Sequence, residues 1–289
     1  MKKQLRAGIV SFVLVMLCLF ATGRTYGQGP TAADLNITGN GVVVLNYHLV
    51  LDQAQDRRRV KALAGDPQLT TYNIFLKDFK DHIAVLRKQG VRFITPDQLQ
   101  GYMTAGKALP AGKCVLLTFD DVDVSVYNNV YPFARKERIP FTVFVVTGQA
   151  GNPNYQGLDL ADWKEIREMK GSGLVSVGAH TNNMHYFDPQ TGEPPFLNPA
   201  NLSAFQTDIQ QSILTYRRNL GVKPTLFAYP YGFGTPDTDE ALMSAGFQML
   251  FSLRPGVVHR EPKDRTFFIK RVMVTYDTWD AVAEWAAAK

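Results

Sequence analysis

Four groups of polar residues in this sequence have the types and positions that metal-assisted hydrolysis requires. They are Asp120-Asp121, the pair His180 and His185, the run Tyr229-Pro230-Tyr231-Gly232, and His48. Two imidazoles and a carboxylate can bind a divalent cation, and a second carboxylate with a further histidine can accept and return protons. Each group follows an apolar segment typical of a buried strand, so all four can meet at the carboxyl ends of a parallel sheet or barrel. The sequence therefore predicts a metal-dependent hydrolase.

Asp120 and Asp121 can serve one pocket only where the backbone turns. Adjacent side chains of a regular strand point to opposite faces, so we expect the strand to end near Phe119 and the pair to lie in a strand-to-helix loop. One carboxylate can then bind a cation while the other accepts a proton from the attacking water. Taken alone, the two acids would equally suit the start of a helix over Tyr127 to Arg135. The histidines favour the metal site.

His180 and His185 are too far apart in angle to share one face of a helix, because five residues correspond to roughly 140°. They can bind the same ion only if the chain turns between them, and Thr181-Asn182-Asn183 allows such a turn. Two of the five histidines on one short turn favour ligation over a structural role. We interpret His82, in a helical pattern, and His259, in a polar stretch, as structural or solvated.

The elements that must position these groups alternate between apolar runs and amphipathic helices. The candidate strands are Val42 to His48, Cys114 to Phe119, Phe141 to Val146, Leu174 to Gly178, Thr225 to Ala228, Gln248 to Ser252 and Phe267 to Val274. Most are continuously apolar, as buried parallel strands are. Helical spacing recurs over Phe75 to Leu86 and Leu202 to Tyr216, with Gly90, Gly173 and Gly221 as predicted helix stops. This alternation predicts an α/β fold with a single domain, a barrel of about seven strands.

The N-terminal residues have the pattern of an export signal. Lys2, Lys3 and Arg6 precede the apolar run Gly8 to Ala21, which is short for a bilayer-spanning helix and typical of a secretory signal core. We predict a signal peptide or retained N-terminal anchor over residues 1–27, a polar spacer over 28–40 and the catalytic domain over 41–289. The protein is expected to be secreted or associated with the cell envelope, with peripheral or anchored membrane association as an alternative to free release.

Net charge limits the classes of partner that we expect, and cysteine content limits the possible disulfides. Without Lys2, Lys3 and Arg6, the 31 basic residues fall to 28 against 26 acidic ones, so the net charge is about +2. A nucleic-acid partner is therefore not expected, and we predict a monomer. Cys114 is the one cysteine beyond the apolar leader, so we expect a buried, inert thiol and no internal disulfide.

The motifs resemble those of a known family. Thr118-Phe119-Asp120-Asp121, the run from His180 to His185, and Tyr229-Pro230-Tyr231-Gly232 are similar to the first three motifs of the polysaccharide deacetylases, the NodB-type carbohydrate esterases. The resemblance covers nearly the whole chain beyond the leader. It implies a distorted (β/α) barrel and removal of acetyl groups from a polysaccharide.

The resemblance also implies roles for individual residues. Asp120 would be the general base, and Asp121, His180 and His185 would bind the metal. The Tyr231 backbone N–H would donate to the oxyanion. We expect a divalent cation, with zinc first and cobalt, nickel or iron as alternatives, since such ligands accept all four.

The position of the remaining histidine indicates a subgroup. No histidine follows His259, although most family members have their acid histidine in a late motif. Instead, Asn46-Tyr47-His48 ends the first predicted strand, which is similar to the permuted deacetylases that act on poly-β-1,6-N-acetylglucosamine in biofilm matrix. The resemblance implies that His48 protonates the departing amine. The expected substrate is an N-acetylglucosamine polymer, from which hydrolysis releases acetate.

Two positions depart from the family pattern. Ala228 stands where other members have an arginine, and we expect Arg271 to replace it by orienting Asp120; a structural ion pair is the alternative. Val122 stands where the family usually has glycine, and a β-branched residue tolerates positive φ poorly. If positive φ is required there, the loop must be rearranged and activity would suffer.

Other functions are compatible with parts of this sequence. A glycoside hydrolase is disfavoured, because its two carboxylates flank a bond several ångströms across, unlike adjacent aspartates. A peptidoglycan or chitin deacetylase, and a non-catalytic carbohydrate-binding barrel, remain as alternatives.

The segment Leu51 to Thr71, with Arg57-Arg58-Arg59, is predicted to be a solvated loop forming one wall of a substrate groove, with contact to an anionic polymer or lipid as the alternative.

Overall fold

A parallel sheet forms the centre of the computed structural model, which describes residues 29–260 and 268–288. Within those residues the sheet has nine strands: β1 (Val42–Tyr47), β2 (Arg92–Phe93), β3 (Cys114–Asp121), β4 (Phe141–Val145), β5 (Val175–Ala179), β6 (Leu226–Ala228), β7 (Met249–Phe251), β8 (Phe268–Ile269) and β9 (Val272–Met273). Their order is β8-β7-β6-β5-β4-β3-β1-β9, and β2 also pairs with β3. All of these pairs are parallel. Every predicted strand is present close to its predicted ends, apart from the last.

One stretch of chain connects the two ends of the sheet. Lys270 and Arg271 alone separate β8 from β9, yet β8 pairs with β7 and β9 pairs with β1. The sheet is therefore curled into a distorted, incompletely closed barrel, which confirms the predicted (β/α) architecture. The prediction of one continuous strand over Phe267 to Val274 is wrong, because Lys270 and Arg271 carry the chain across from one edge to the other; Phe267 itself lies outside the described residues.

Both faces of the strands are buried, since the barrel interior covers one face and the helices cover the other. Val42 and Val44 belong to one apolar cluster, whereas the alternate residues Val43 and Leu45 belong to another. All residues of β3 are buried, and Cys114 is the buried free thiol that the sequence predicted.

The helices connect the strands around the outside. They are α1 (Arg57–Leu63), α2 (Pro67–Tyr72), α3 (Leu76–Lys88), α4 (Pro96–Thr104), α5 (Tyr131–Glu137, preceded by a π-helical turn at Val126–Val130), α6 (Trp163–Gly171), α7 (Leu202–Leu220), α8 (Pro236–Ala245) and α9 (Tyr276–Ala287). Gly90, Gly173 and Gly221 end three of them with φ of 76°, 74° and 74°, a left-handed conformation that glycine adopts without a Cβ penalty. The predicted helix stops are therefore confirmed.

The segment Leu51 to Thr71 is mostly exposed, as predicted, but it is not a loop, because it contains α1 and all of α2 except its last residue. The Asp66 side chain accepts hydrogen bonds from two backbone N–H groups in the first turn of α2. The run Gly65-Asp66-Pro67 is thus a helix cap followed by proline at the first helical position. Arg59 of α1 forms an ion pair with the buried Asp123, just beyond β3, so this segment is docked beside the carboxyl end of the barrel.

The predicted leader over residues 1–27 lies outside the described residues. In the part of the chain that the structure describes, no helix has the length and hydropathy needed to cross a bilayer. Part of the spacer predicted over residues 28–40 packs on the domain: Leu35 and Ile37 are buried in its core, and the N–H of Ala32 donates to Glu284 of α9 at 2.9 Å. We propose that the folded domain extends back into this segment.

Candidate metal centre and active site

The predicted site residues lie at the carboxyl end of the barrel. Asp120 and Asp121 end β3, His48 follows β1, His180 and His185 follow β5, Tyr231 follows β6, and Arg271 precedes β9. In the parallel pairing of β1 with β3, Tyr47 lies opposite Phe119, which brings His48 level with Asp120. Barrel closure through β9 adds Arg271 to the same end.

The backbone turns at Asp121 and Val122, each of which has φ of 63°. The β-ladder extends to Asp121, which pairs with Val145, so the strand runs past Phe119, its predicted end. The left-handed backbone at Asp121 breaks the alternation that would point adjacent side chains to opposite faces. Both carboxylates consequently act on one neighbour, since the charges of Asp120 and Asp121 both raise the pKa of His48.

Val122 adopts the positive φ that its side chain disfavours, at a cost of roughly 1–2 kcal/mol. Its side chain is 1% exposed within the main apolar cluster, and burying a valine stabilises a fold by about 1.5–3 kcal/mol. Its N–H donates to the Asp120 carbonyl at 2.7 Å, and its carbonyl accepts from Ala161 N–H at 2.9 Å. Packing and hydrogen bonds thus offset the strain, and the loop keeps its turn without glycine.

Asp121, His180 and His185 form a group that could hold a metal ion. Each offers one ligand atom, and these atoms lie within 4.8 Å of one another. Asp121 Oδ1 lies 3.2 Å from His185 Nε2 and 3.6 Å from His180 Nε2. The chain turns between the two histidines, with Thr181 at φ of 68°, as the sequence predicted.

The chemistry of these three side chains fits a divalent cation. His180 Nδ1 lies 2.7 Å from the Ala228 carbonyl, to which it donates, so the lone pair of His180 is on Nε2, facing Asp121. Burial lowers the pKa of His180 to about 4, which leaves the ring neutral and able to ligate near pH 7. Asp121 Oδ1 is buried and has no hydrogen-bond donor among the described residues, as expected of an oxygen reserved for a cation.

Asp120 is paired with a fully buried arginine. Arg271 donates from Nη1 to Asp120 Oδ1 at 2.7 Å and from Nη2 to Oδ2 at 2.8 Å. Its guanidinium carbon lies 5.4 Å from the Phe144 ring centroid and 5.9 Å from that of Phe251. Arg271 Nε donates to the Ser252 carbonyl at 2.9 Å. The hydrogen bond predicted between Arg271 and Asp120 is therefore present in bidentate form.

The surroundings of Asp120 keep it ionised. Burial by itself would raise the pKa of Asp120, but the charges of Arg271 and His180 together with the hydrogen bonds from Arg271 lower it to about 2. Asn46 Nδ2 also donates to Asp120 Oδ2 at 3.2 Å, and Asn46 Oδ1 accepts from Arg271 Nη1 at 3.2 Å and from Thr118 Oγ1 at 3.3 Å. The sequence reasoning gave Asn46 and Thr118 no individual role, although a polar residue inside an apolar strand is a signal that could have singled them out.

His48 and Tyr231 complete the site. Burial lowers the pKa of His48, and the nearby carboxylates partly oppose this; its ring centroid lies 4.8 Å from that of Tyr72. Tyr231 has φ of 60° in the turn after β6, and its ring centroid lies 4.9 Å from that of His185 and 4.1 Å from that of Phe187. The His48 imidazole and the backbone turn at Tyr231 therefore lie beside the metal group, the first after β1 and the second after β6.

Comparisons with known proteins agree with this geometry. Residues 107–250 match the sequence model of the polysaccharide deacetylase domain. The solved structure of IcaB from Ammonifex degensii is 41% identical and superposes with a TM-score of 0.76, covering 87% of this chain and 99% of that one. The chain belongs to the polysaccharide deacetylase family. This deacetylase is also similar to two curated proteins named poly-β-1,6-N-acetyl-D-glucosamine N-deacetylase. The one from Staphylococcus aureus is 27% identical over 94% of each chain, and the one from Staphylococcus epidermidis is 29% identical over 98% of this chain and 97% of its own.

The two histidines of the deacetylase that we interpreted as structural or solvated lie outside this constellation. His82 is buried in α3, stacks on Trp279 with ring centroids 3.5 Å apart, and has Nδ1 3.2 Å from the Tyr47 hydroxyl. His259 is exposed and lies beside Gly41, at the opposite end of β1 from His48. Both interpretations are confirmed.

Proposed function

We propose that this protein hydrolyses N-acetyl groups of an N-acetylglucosamine polymer, poly-β-1,6-N-acetylglucosamine in particular, and releases acetate. The observation that carries the chemistry is the convergence of Asp121, His180 and His185 beside Asp120, whose pairing with Arg271 keeps it ionised. The substrate rests on the curated relatives, whose names state that polymer. Asn46-Tyr47-His48 at the end of β1 supports the same assignment.

The roles of the side chains follow from their positions. A divalent cation held by Asp121, His180 and His185 would polarise the acetamide carbonyl and lower the pKa of water; zinc is our proposal, with cobalt, nickel or iron as alternatives. Asp120 accepts the proton of the attacking water, since a carboxylate retains acceptor capacity beyond the bonds from Arg271 and Asn46. The Tyr231 N–H donates to the oxygen of the tetrahedral intermediate.

His48 protonates the departing amine, so that the C–N bond breaks and acetate and a free amine remain. Because burial lowers the pKa of His48, its ring is mostly neutral before the reaction. It must therefore gain a proton during turnover, and the charges of Asp120 and Asp121 favour this imidazolium. The proton that Asp120 accepts from the attacking water balances the one that His48 gives to the amine.

We also propose that the protein acts as a monomer outside the cytoplasm, with residues 1–27 as signal or anchor and residues 41–289 containing the deacetylase domain. The support is the Lys2, Lys3, Arg6 and Gly8 to Ala21 pattern. Peripheral or anchored membrane association follows if the leader is retained.

The substrate is tested by acetate release from β-1,6-linked and β-1,4-linked N-acetylglucosamine oligomers of equal length. We expect preference for the β-1,6 series, and faster release from longer chains because remote contacts contribute binding energy to catalysis. Preference for the β-1,4 series would assign the protein to the chitin or peptidoglycan deacetylases. Absence of release from both series would favour a non-catalytic carbohydrate-binding barrel.

The roles are tested by separating metal content from turnover. Asp121→Asn and His180→Ala should lose bound metal and acetate release together, whereas Asp120→Asn and His48→Ala should retain metal and lose most of the turnover. His259→Ala is the matched histidine control and should behave as wild type. Full metal occupancy in His180→Ala would reject the ligand set, and near-normal rates in His48→Ala would reject the acid.

A further inference from the structure

The turn that carries His185 has no regular secondary structure of its own. We call residues Thr181 to His185 the histidine turn. Two ligand histidines can converge only if this turn keeps one shape, because His180 is anchored by the end of β5, whereas His185 is held through loop contacts in which the Tyr155 hydroxyl and Gln156 Nε2 donate to its carbonyl. The groups that hold the backbone of the turn therefore contribute to where His185 lies relative to Asp121.

Asp208 of α7 contacts the backbone of the histidine turn directly. Its Oδ2 accepts from Asn182 N–H at 2.7 Å and its Oδ1 accepts from Asn183 N–H at 2.7 Å. Burial raises the pKa of Asp208, and the backbone N–H groups of Asn182, Asn183 and Met184 oppose this. One carboxylate thus accepts hydrogen bonds from two successive backbone N–H groups.

The shape of the turn explains why a carboxylate suits this place. Thr181 is buried with φ of 68°, and successive N–H groups after a left-handed residue point into one concavity that attracts an anion. Hydrogen bonds to an ionised acceptor are stronger than neutral ones. Asp208 is the single acidic residue of α7, so no neighbour on that helix can replace it.

The other side of the histidine turn rests against the loop after β4. Thr147 N–H donates to the Thr181 carbonyl and Gly148 N–H donates to the Asn182 carbonyl, both at 3.0 Å. A Cβ on Gly148 would lie 2.5 Å from Asn183 Oδ1 and 2.8 Å from the Asn182 carbonyl oxygen. The turn is therefore confined between Gly148 and Asp208, with little room to move toward either.

We propose that Asp208 is a positioning residue for the metal centre, holding the histidine turn in the shape that places His185 beside Asp121. It acts through His185 and does not touch the reacting atoms. The inference rests on the proposed ligand set of Asp121, His180 and His185.

The test is the affinity of the metal-free full chain for Co²⁺ and Zn²⁺, measured by competition with a chromophoric chelator, together with the Co²⁺ absorption spectrum. Asp208→Asn should bind both ions on the order of 10- to 100-fold more weakly, the usual effect of losing a group that orients a ligand, and its Co²⁺ spectrum should change. Acetate release should recover at excess metal with little change in KM. Asp208→Glu keeps the carboxylate and should lose less affinity than Asp208→Asn.

One variant acts as a control, and another tests the opposite side of the turn. Tyr216→Phe lies two turns further along the same helix and removes a hydroxyl that donates to the Val177 carbonyl at 2.7 Å, so it should lower the thermal midpoint without changing metal affinity. Gly148→Ala should weaken affinity from the opposite side of the turn.

The outcomes separate this inference from the function on which it rests. If His180→Ala loses metal while Asp208→Asn binds like wild type, the role of Asp208 is rejected and the metal site stands. Equal losses in Asp208→Asn and Tyr216→Phe, or a larger loss in Asp208→Glu than in Asp208→Asn, would also reject it. If His180→Ala retains wild-type affinity, the ligand set itself is wrong.

Discussion

Replacement of Arg271 by methionine should destabilise the protein strongly, because it leaves the Asp120 carboxylate buried without its cation. Arg271 is 0% exposed and Asp120 is 2% exposed, and both guanidinium nitrogens at the end of the side chain donate to that carboxylate. Removing one partner of such a pair costs about 3–5 kcal/mol. This is a large part of the ~5–15 kcal/mol that stabilises a typical domain.

The pH dependence of the unfolding free energy gives a second, independent measure of the Asp120–Arg271 pair. In the wild type the pKa of Asp120 is about 2, against 3.8 for the ordinary carboxyl. The corresponding stabilisation, about 2.4 kcal/mol at ~1.4 kcal/mol per pH unit, is present above pH 3.8 and is lost as the pH falls through 2. In Arg271→Met the guanidinium that lowers the pKa of Asp120 is gone, while burial still raises it. The pKa of Asp120 therefore rises, and the carboxyl becomes protonated at higher pH. The stability deficit of the variant should therefore shrink as the pH is lowered.

Urea denaturation of the metal-free proteins from about pH 7 to about pH 2 would measure both effects. A double-mutant cycle with Asp120→Asn isolates the pair, and the double variant should be less destabilised than the sum of the two single variants. Additive losses, or a deficit under about 1 kcal/mol that is constant with pH, would refute the electrostatic account of Arg271.

Two further changes test other buried polar groups. Burial lowers the pKa of His82 from 6.5 to about 3. Between these values the unfolded chain binds a proton at His82 and the folded protein does not, so the contribution of His82 to stability is complete above pH 6.5 and declines as the pH falls toward 3. His82→Phe should therefore reduce the fall of the unfolding free energy with decreasing pH by up to ~1.4 kcal/mol per pH unit. An acid slope equal to that of wild type in urea titrations would contradict this. Thr142 Oγ1 is buried without a partner among the described residues, so Thr142→Val should raise the free energy of unfolding by about 1 kcal/mol and leave acetate release unchanged. A less stable Thr142→Val would show that the hydroxyl has a partner.

Much of the fold could be predicted because buried parallel strands are continuous apolar runs with glycine-terminated helices between them. The last strand could not, since its division at Lys270 and Arg271 depends on both edges of the sheet being present. The helices over Leu51 to Thr71 were also missed, because Arg57-Arg58-Arg59 and Gly65-Asp66-Pro67 suggested a loop, whereas Arg59 pairs with the buried Asp123 and Asp66 caps α2.

For the site, the sequence by itself determined which side chains are available and that they follow strands. Asp120, Asp121, His180 and His185 could be selected as candidates because the proposed ligand and base chemistry requires those residue types, and the carboxyl ends of parallel strands meet at one end of a barrel. Local spacing also excluded a helical histidine pair. This information is contained in short stretches of chain.

Only the tertiary structure decided how those side chains are held. The contact of Arg271 with Asp120 joins residues 151 positions apart, so it forms only when the two edges of the sheet are brought together. The left-handed turn at Val122 is retained because its side chain is buried in a core assembled from distant elements. Asp208 of α7 reaches the histidine turn although it lies 26 and 25 residues after Asn182 and Asn183, whose N–H groups donate to it. Each is a long-range contact whose energy depends on burial, and burial is a property of the assembled fold.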